Sequence, residues 1–144
     1  MNNLSIARDY AERAMWCIRE ADQALEGKNF AICVRRSQEA LELAAKSILR
    51  RLAIEYPREH DVSDAVAVSA ERLPEYLKSR LEGLKSLLSE LARVRGPAFY
   101  GYEAEGIPAS QAFTKEYATE ILSKTKSLVE LCHTFATSVN AGGP

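Results

Sequence analysis

The amino-acid sequence predicts an all-α protein: an antiparallel up-and-down helical bundle of four long helices plus one short helix. Three observations carry that expectation. Apolar residues recur at three- and four-residue intervals along most of the chain, the spacing that gathers them on one face of an α-helix. No stretch alternates apolar and polar residues with the two-residue period of a strand. Glycine and proline punctuate the periodic stretches where helices would end or begin. With 144 residues, 47% of them hydrophobic, the chain is long enough for one domain, residues 1–144, whose core needs neither disulfide nor metal.

In the first helix, residues 4–25, Ala7, Ala11, Ala14, Met15, Ile18, Ala21 and Leu25 form one stripe, and Gly27 supplies a stop. Trp16 flanks that stripe and is expected in the core, with a subunit contact as the alternative. Residues 30–54 repeat the pattern through Val34, Leu41, Ala45, Ile48 and Leu52, while Ala40 and Ala44 are small enough to admit a neighbouring helix closely. So short a connection forces the two helices antiparallel. Tyr56-Pro57 breaks the second helix, and Asp61 followed by Asp64 marks the start of a short third one reaching about residue 70. Pro74 suits the first turn of a fourth helix, whose Leu77, Leu81, Leu84, Leu88 and Leu91 form a ridge up to two arginines. Gly96-Pro97 is expected to disturb or end it. Residues 101–112 have no period and read as a surface loop. Thr114 then caps the last helix, with Phe113 and Ala118 placed for a hydrophobic staple and Tyr117, Ile121, Leu128, Leu131 and Phe135 continuing the stripe.

Charge and cysteine content narrow the function classes. Nineteen Lys and Arg against twenty Asp and Glu leave a net charge of −1, so no whole-protein field draws nucleic acid or an anionic membrane. Any nucleic-acid contact must be local. Cys17, Cys33 and Cys132 are odd in number and lack CxxC spacing, which fits buried thiols in a reducing compartment and no metal site. No apolar run approaches the ~20 residues of a membrane span, so a cytoplasmic protein without a membrane partner is expected.

Chemistry concentrates in Arg93-Val-Arg95-Gly-Pro-Ala-Phe-Tyr100-Gly-Tyr102, which sets two guanidiniums and two phenols inside ten residues. Arg95 and Arg93 have the planar fork that grips phosphate. Against this stands a structural reading: both arginines complement the negative end of the fourth helix, and Tyr100 and Tyr102 pack under the loop. Arg35, Arg36 and Lys46 read as solvated partners of Glu39 and Glu42, and His133 as incidental near a helix C-terminus.

The second helix, with Arg36-Ser-Gln-Glu-Ala-Leu-Glu-Leu-Ala-Ala-Lys46, the following Tyr56-Pro57-Arg-Glu-His60-Asp61, the arginine turn and the Phe113-Thr114-Lys-Glu-Tyr117 start of the last helix together resemble the HEPN domain. The resemblance covers roughly residues 4–137. It implies a helical bundle that dimerises, and two functional classes. One comprises metal-independent ribonucleases, often toxins, with an arginine followed after four to six residues by a histidine. The other comprises nucleotide-binding proteins or members of toxin–antitoxin pairs, encoded beside a small nucleotidyltransferase. Here Arg95, Tyr100 and Tyr102 have the spacing of that family's arginine, histidine and tyrosine, but Tyr100 replaces the histidine. Imidazole, with a pKa near ~6.5, can serve as acid or base at neutral pH. A phenol near ~10 is a poor base without a large shift.

The reading this favours is a non-catalytic module, without cofactor, that dimerises and binds a nucleotide, RNA or a nucleotidyltransferase partner through Arg93, Arg95, Tyr100, Tyr102 and His60. The alternative is an endoribonuclease using Arg95, with His60 supplying the missing acid or base. The resemblance also makes the Tyr102 hydroxyl a candidate for modification by a paired transferase. A homodimer is expected to cover Leu43, Ile54, Leu87 and Phe99, apolar side chains that a single bundle leaves over.

Overall fold

Short side chains decide how the first two helices meet. In the computed structural model, which describes residues 2–56 and 62–138, α1 (Asn3–Glu26) buries Ala7, Ala11, Ala14 and Ala21, and α2 (Phe30–Arg51) buries Ala31, Ala40, Ala44 and Ala45. Alanines on both surfaces let the backbones approach closely, and this pair makes the most extensive helix–helix contact of the fold. Asn2 and Asn29 cap the two starts, each side-chain oxygen accepting the amide three residues on, from Ser5 at 3.0 Å and Ile32 at 3.2 Å. The second helix stops at Arg51, three residues short of the sequence expectation, because Ala53 turns left-handed with φ 57°.

The fourth helix of the sequence reading is two helices. After α3 (Ser63–Val68), Pro74 opens the single turn α4 (Glu75–Lys78), and α5 (Leu81–Tyr100) starts afresh after Arg80. Leu77, Leu81, Leu84, Leu88 and Leu91 are all buried across that break, so the ridge is real although the helix is divided. Then α6 (Lys115–Thr137) begins at Thr114, whose hydroxyl accepts from the Tyr117 amide at 3.0 Å. Among the described residues the architecture is therefore an all-α bundle of four long and two short α-helices, one short helix more than expected.

Side-chain pairs fix the directions. Arg8 and Thr137, Glu12 and His133, and Asp22 and Lys126 run α1 against α6; Arg80 with Ser127 and Glu90 with Tyr117 do the same for α5 and α6. Cys33 beside Ala118 and Arg51 beside Ser138 make α2 and α6 the parallel pair. Leu41, Ile48, Leu49, Leu84, Leu91 and Ile121 are completely or almost completely buried between them. Each such side chain contributes about 1.5–3 kcal/mol.

Several expectations change here. Trp16 is no core residue: its ring is 61% exposed, with the Arg19 guanidinium 4.5 Å from its centre. Of the four apolar side chains assigned to a dimer contact, Leu87 is buried and Leu43 and Ile54 are partly buried against the core; only Phe99 is exposed. The three cysteines are buried free thiols. No helix among the described residues is long and apolar enough to cross a membrane.

Candidate functional site

Proline without an amide hydrogen leaves the carbonyl four residues earlier unpaired, yet α5 runs through Gly96 and Pro97 to Tyr100. The expected stop is displaced by four residues. Pro97 lies close to the helix end, so only the carbonyl of Arg93 loses its partner, while buried Ala98 anchors the last turn and the Gly101 amide donates to the Pro97 carbonyl at 2.8 Å. Gly101, with φ 72° and ψ −161°, ends the helix instead. A Cβ there would stand 2.3 Å from the Ile107 carbonyl oxygen, so only glycine fits. Tyr102 then pairs with Ile107 through two backbone hydrogen bonds of 2.7 and 3.0 Å, closing the loop expected from the sequence into a tight turn.

Placing the motif on a helix changes its geometry. Arg95 and Tyr100, five residues apart, point about 140° apart around the axis, and Arg93 and Arg95 face nearly opposite ways. Arg93 and Tyr100, seven residues apart, share a face about 10 Å apart along the axis. Arg95 shares its face with Phe99, one turn on. Arg95 therefore faces away from Arg93 and Tyr100, and these three do not share one face of α5.

Two clusters form instead. In the first, the Arg35 guanidinium of α2 lies 4.5 Å from the centre of the Phe99 ring, and Phe99 packs on Tyr100 with centroids 4.5 Å apart at 60°. These rings remain 53% and 62% exposed. Arg35 is thus no solvated helix pair: it leaves its own helix to cover α5, whereas Arg36 does pair with Glu39 and Lys46 with Glu42. In the second, Tyr117 of α6 donates its hydroxyl to Glu90 of α5 at 2.8 Å and stacks on Phe113. Burial first, and then the bond to Glu90 and its charge, push the Tyr117 phenol well above its usual range, while Arg93 nearby opposes the shift and Tyr102 adds to it. Arg93 and Tyr102 are thus near enough for their charges to act on Tyr117. Tyr102, at 39% exposed, is not packed under its loop as the structural reading had it.

Sequence reasoning missed Arg35, Tyr117 and Glu90 as members of this region. Adjacent aromatics at 99 and 100 were a visible signal; nothing local marks Arg35, which comes from a helix sixty-odd residues earlier. His60 lies outside the described residues. His133 sits 3.3 Å from Glu12, about 24 Å along α6 from Tyr117. Among the described residues no three His, Cys, Asp or Glu side chains converge as metal ligands. Chemically, the end of α5 offers aromatic faces, exposed guanidiniums and a carboxylate-bound phenol, a set suited to gripping an anion with an aromatic body.

Comparison with curated protein sequences gave no match. The family model of the HEPN domain, in contrast, matches residues 7–135, which reaches from the first turns of α1 to the last turns of α6. A match over nearly the whole length, on a bundle of this architecture, decides the family: the chain belongs to the HEPN domain family.

Proposed function

We propose that this protein is a non-catalytic HEPN module of a toxin–antitoxin-type pair that forms a homodimer and binds a nucleotide, or a nucleotidyltransferase partner, at the end of α5. Membership of the family supports a nucleotide- or RNA-related role. The observation that carries the reading is the exposed Phe99–Tyr100 pair under Arg35, with Arg95 one turn before Phe99. A folded monomer gains nothing from leaving two adjacent rings in water, whereas a base or partner side chain gains a stacking face and the guanidiniums gain a phosphate. Tyr100 at the histidine's position supports the absence of nuclease chemistry, because a phenol stays protonated near neutral pH.

Calorimetry against ATP, and against any nucleotidyltransferase encoded beside the gene, tests this. Arg95→Ala and Arg35→Ala should each weaken binding by about ten- to a hundred-fold, the loss of one charged hydrogen bond worth about 1.5–3 kcal/mol. Binding to neither, or binding indifferent to both substitutions, reduces the region to a helix terminus. The protein should also leave RNA intact in the presence of chelator; cleavage abolished by Arg95→Ala would establish the endoribonuclease reading instead.

A further inference from the structure

The side of α1 that faces away from the core carries a tryptophan. Ser5, Asp9, Trp16 and Gln23 follow one another along that outward line and are all exposed. With about 100° between successive residues, Trp16 points almost directly away from buried Ala7, Ala14 and Ile18. The Arg19 guanidinium, 4.5 Å from the ring centre, covers part of the indole and still leaves most of it in water. A lone exposed indole calls for no explanation. The charges around this one do. Glu12 and Arg19 lie about 40–60° to one side of Trp16, and Arg13 and Glu20 about as far to the other. Along the axis each glutamate stands roughly 6 Å from the indole and each arginine about 4.5 Å, at opposite ends. Acid precedes base on one side and follows it on the other. Within the chain Glu12 meets His133 at 3.3 Å, Glu20 meets Arg36 at 3.4 Å and Arg13 meets Asp9 at 3.6 Å. These single contacts leave the Glu12, Glu20 and Arg13 side chains more than half exposed, with further acceptor and donor positions open to a neighbour.

A two-fold axis crossing α1 at Trp16 turns this order into self-complementarity. When two copies of α1 run antiparallel with their indoles at the centre, Glu12 of each copy stands opposite Arg19 of the other, and Arg13 opposite Glu20. The mismatch along the axis is about 1.5 Å, well within the reach of these side chains. A parallel pair also matches those charges, Glu12 with Arg13 and Arg19 with Glu20. It fails at Asp9, which lies about 20° from the line of Trp16 and would meet the Asp9 of the other copy. It also aligns the two helix dipoles. The antiparallel pair opposes the dipoles and sets Asp9 against the side-chain amide of Gln23, a donor. We propose that the outer face of α1 is a self-association surface, where a second copy of this chain docks antiparallel across a two-fold axis through Trp16. A central indole ringed by arginines has the composition from which interfaces draw most of their energy. One helix against one helix covers less than the ~1,200 Å² at which stable interfaces begin, so the contact forms on the order of hundreds of micromolar. It is independent of the α5 end. Arg36 of α2 reaches Glu20 on α1 while Arg35 covers Phe99 on α5, so α2 stands between the two surfaces.

Trp16 is the one tryptophan of the chain, so its fluorescence reads the contact in the unsubstituted protein. As the concentration rises from tens to on the order of several hundred micromolar, its emission should move to the blue and acrylamide should quench it less. Sedimentation velocity over the same range should show the species present at low concentration associating further. Trp16→Ala should weaken that step about thirtyfold and Arg13→Glu about tenfold. Arg13→Glu combined with Glu20→Arg restores opposite charges across the axis and should recover the association, which a mere disturbance of α1 would not do. For the direction, a spin label attached through Gln23→Cys, the native thiols being buried, is mixed with isotope-labelled protein of natural sequence. It should broaden the amides around Asp9. Fluorescence that does not change with concentration, association indifferent to Trp16→Ala, a charge exchange without rescue, or broadening centred on Gln23 would each overturn the proposal. Phe99→Glu removes the contact expected at the α5 end and should leave this step in place, so the failure of either surface is read separately from the other.

Discussion

Gly101 shows how one residue shapes the α5 end. Its φ of 72° and the 2.3 Å approach of the Ile107 oxygen leave no room for a side chain, so Gly101→Ala should destabilise the protein by about 1–3 kcal/mol and open the Tyr102–Ile107 turn. Urea unfolding measures the first effect and NMR of the residue 102–107 amides the second; an unchanged unfolding midpoint would mean the turn carries no strain. The buried cysteines give a pH dependence. Burial raises Cys132 from an ordinary 9.0 to about 12. Burial first, and for Cys17 then the charges of Glu39 and Glu20, raises Cys17 and Cys33 to about 11. In the unfolded chain these thiols ionise first, so the stability they contribute is complete below pH 9.0 and is lost as pH rises from there towards about 12. Unfolding midpoints should therefore fall above pH 9.0, and Cys132→Ala should flatten that fall even though it lowers stability at neutral pH.

At the level of elements, α5 is the least regular and the most consequential. Proline in a helix interior costs about 3 kcal/mol, less near an end, and α5 accepts it in its last turns. Pro97→Ala restores an amide that can reach the Arg93 carbonyl and should stabilise the protein by about 1–2 kcal/mol, read as a raised unfolding midpoint. Destabilisation would show that proline's fixed φ contributes more than the missing hydrogen bond removes. Because the helix continues, Phe99 and Tyr100 are carried on a rigid turn towards Arg35, which a loop after Gly96 would not do.

For the whole molecule, the dimer expectation narrows to Phe99 among the four side chains named for it. Leu87 is covered by its own bundle, so the exposed Phe99 and Tyr100 become the apolar surface available at that end. Sedimentation equilibrium on the order of tens of micromolar protein should show a dimer, a concentration that detects weak interfaces. Phe99→Glu should shift it to monomer while leaving helix content unchanged; a monomer for the unsubstituted protein would remove the dimer from the proposal.

Much of the fold was legible because helical periodicity is local. The stripes of α1, α2 and α6, the Gly27 stop and the Thr114 cap each depend on residues within a few positions of one another, and all appear where they were expected. The division of the leucine ridge at Ser79–Arg80 was not legible, since five buried leucines keep the same spacing across it. The site divides in the same way. The sequence determined which chemical groups stand near Arg95 and that the resemblance to a family holds over most of the chain. Tertiary structure alone decided which groups meet: Arg35 reaches Phe99, Tyr117 reaches Glu90, and Tyr56 folds onto Lys46 and Arg50. Periodicity encodes which face of a helix is apolar, but contacts between helices depend on crossing geometry and on where each helix ends, and those follow from the packing of the complete bundle.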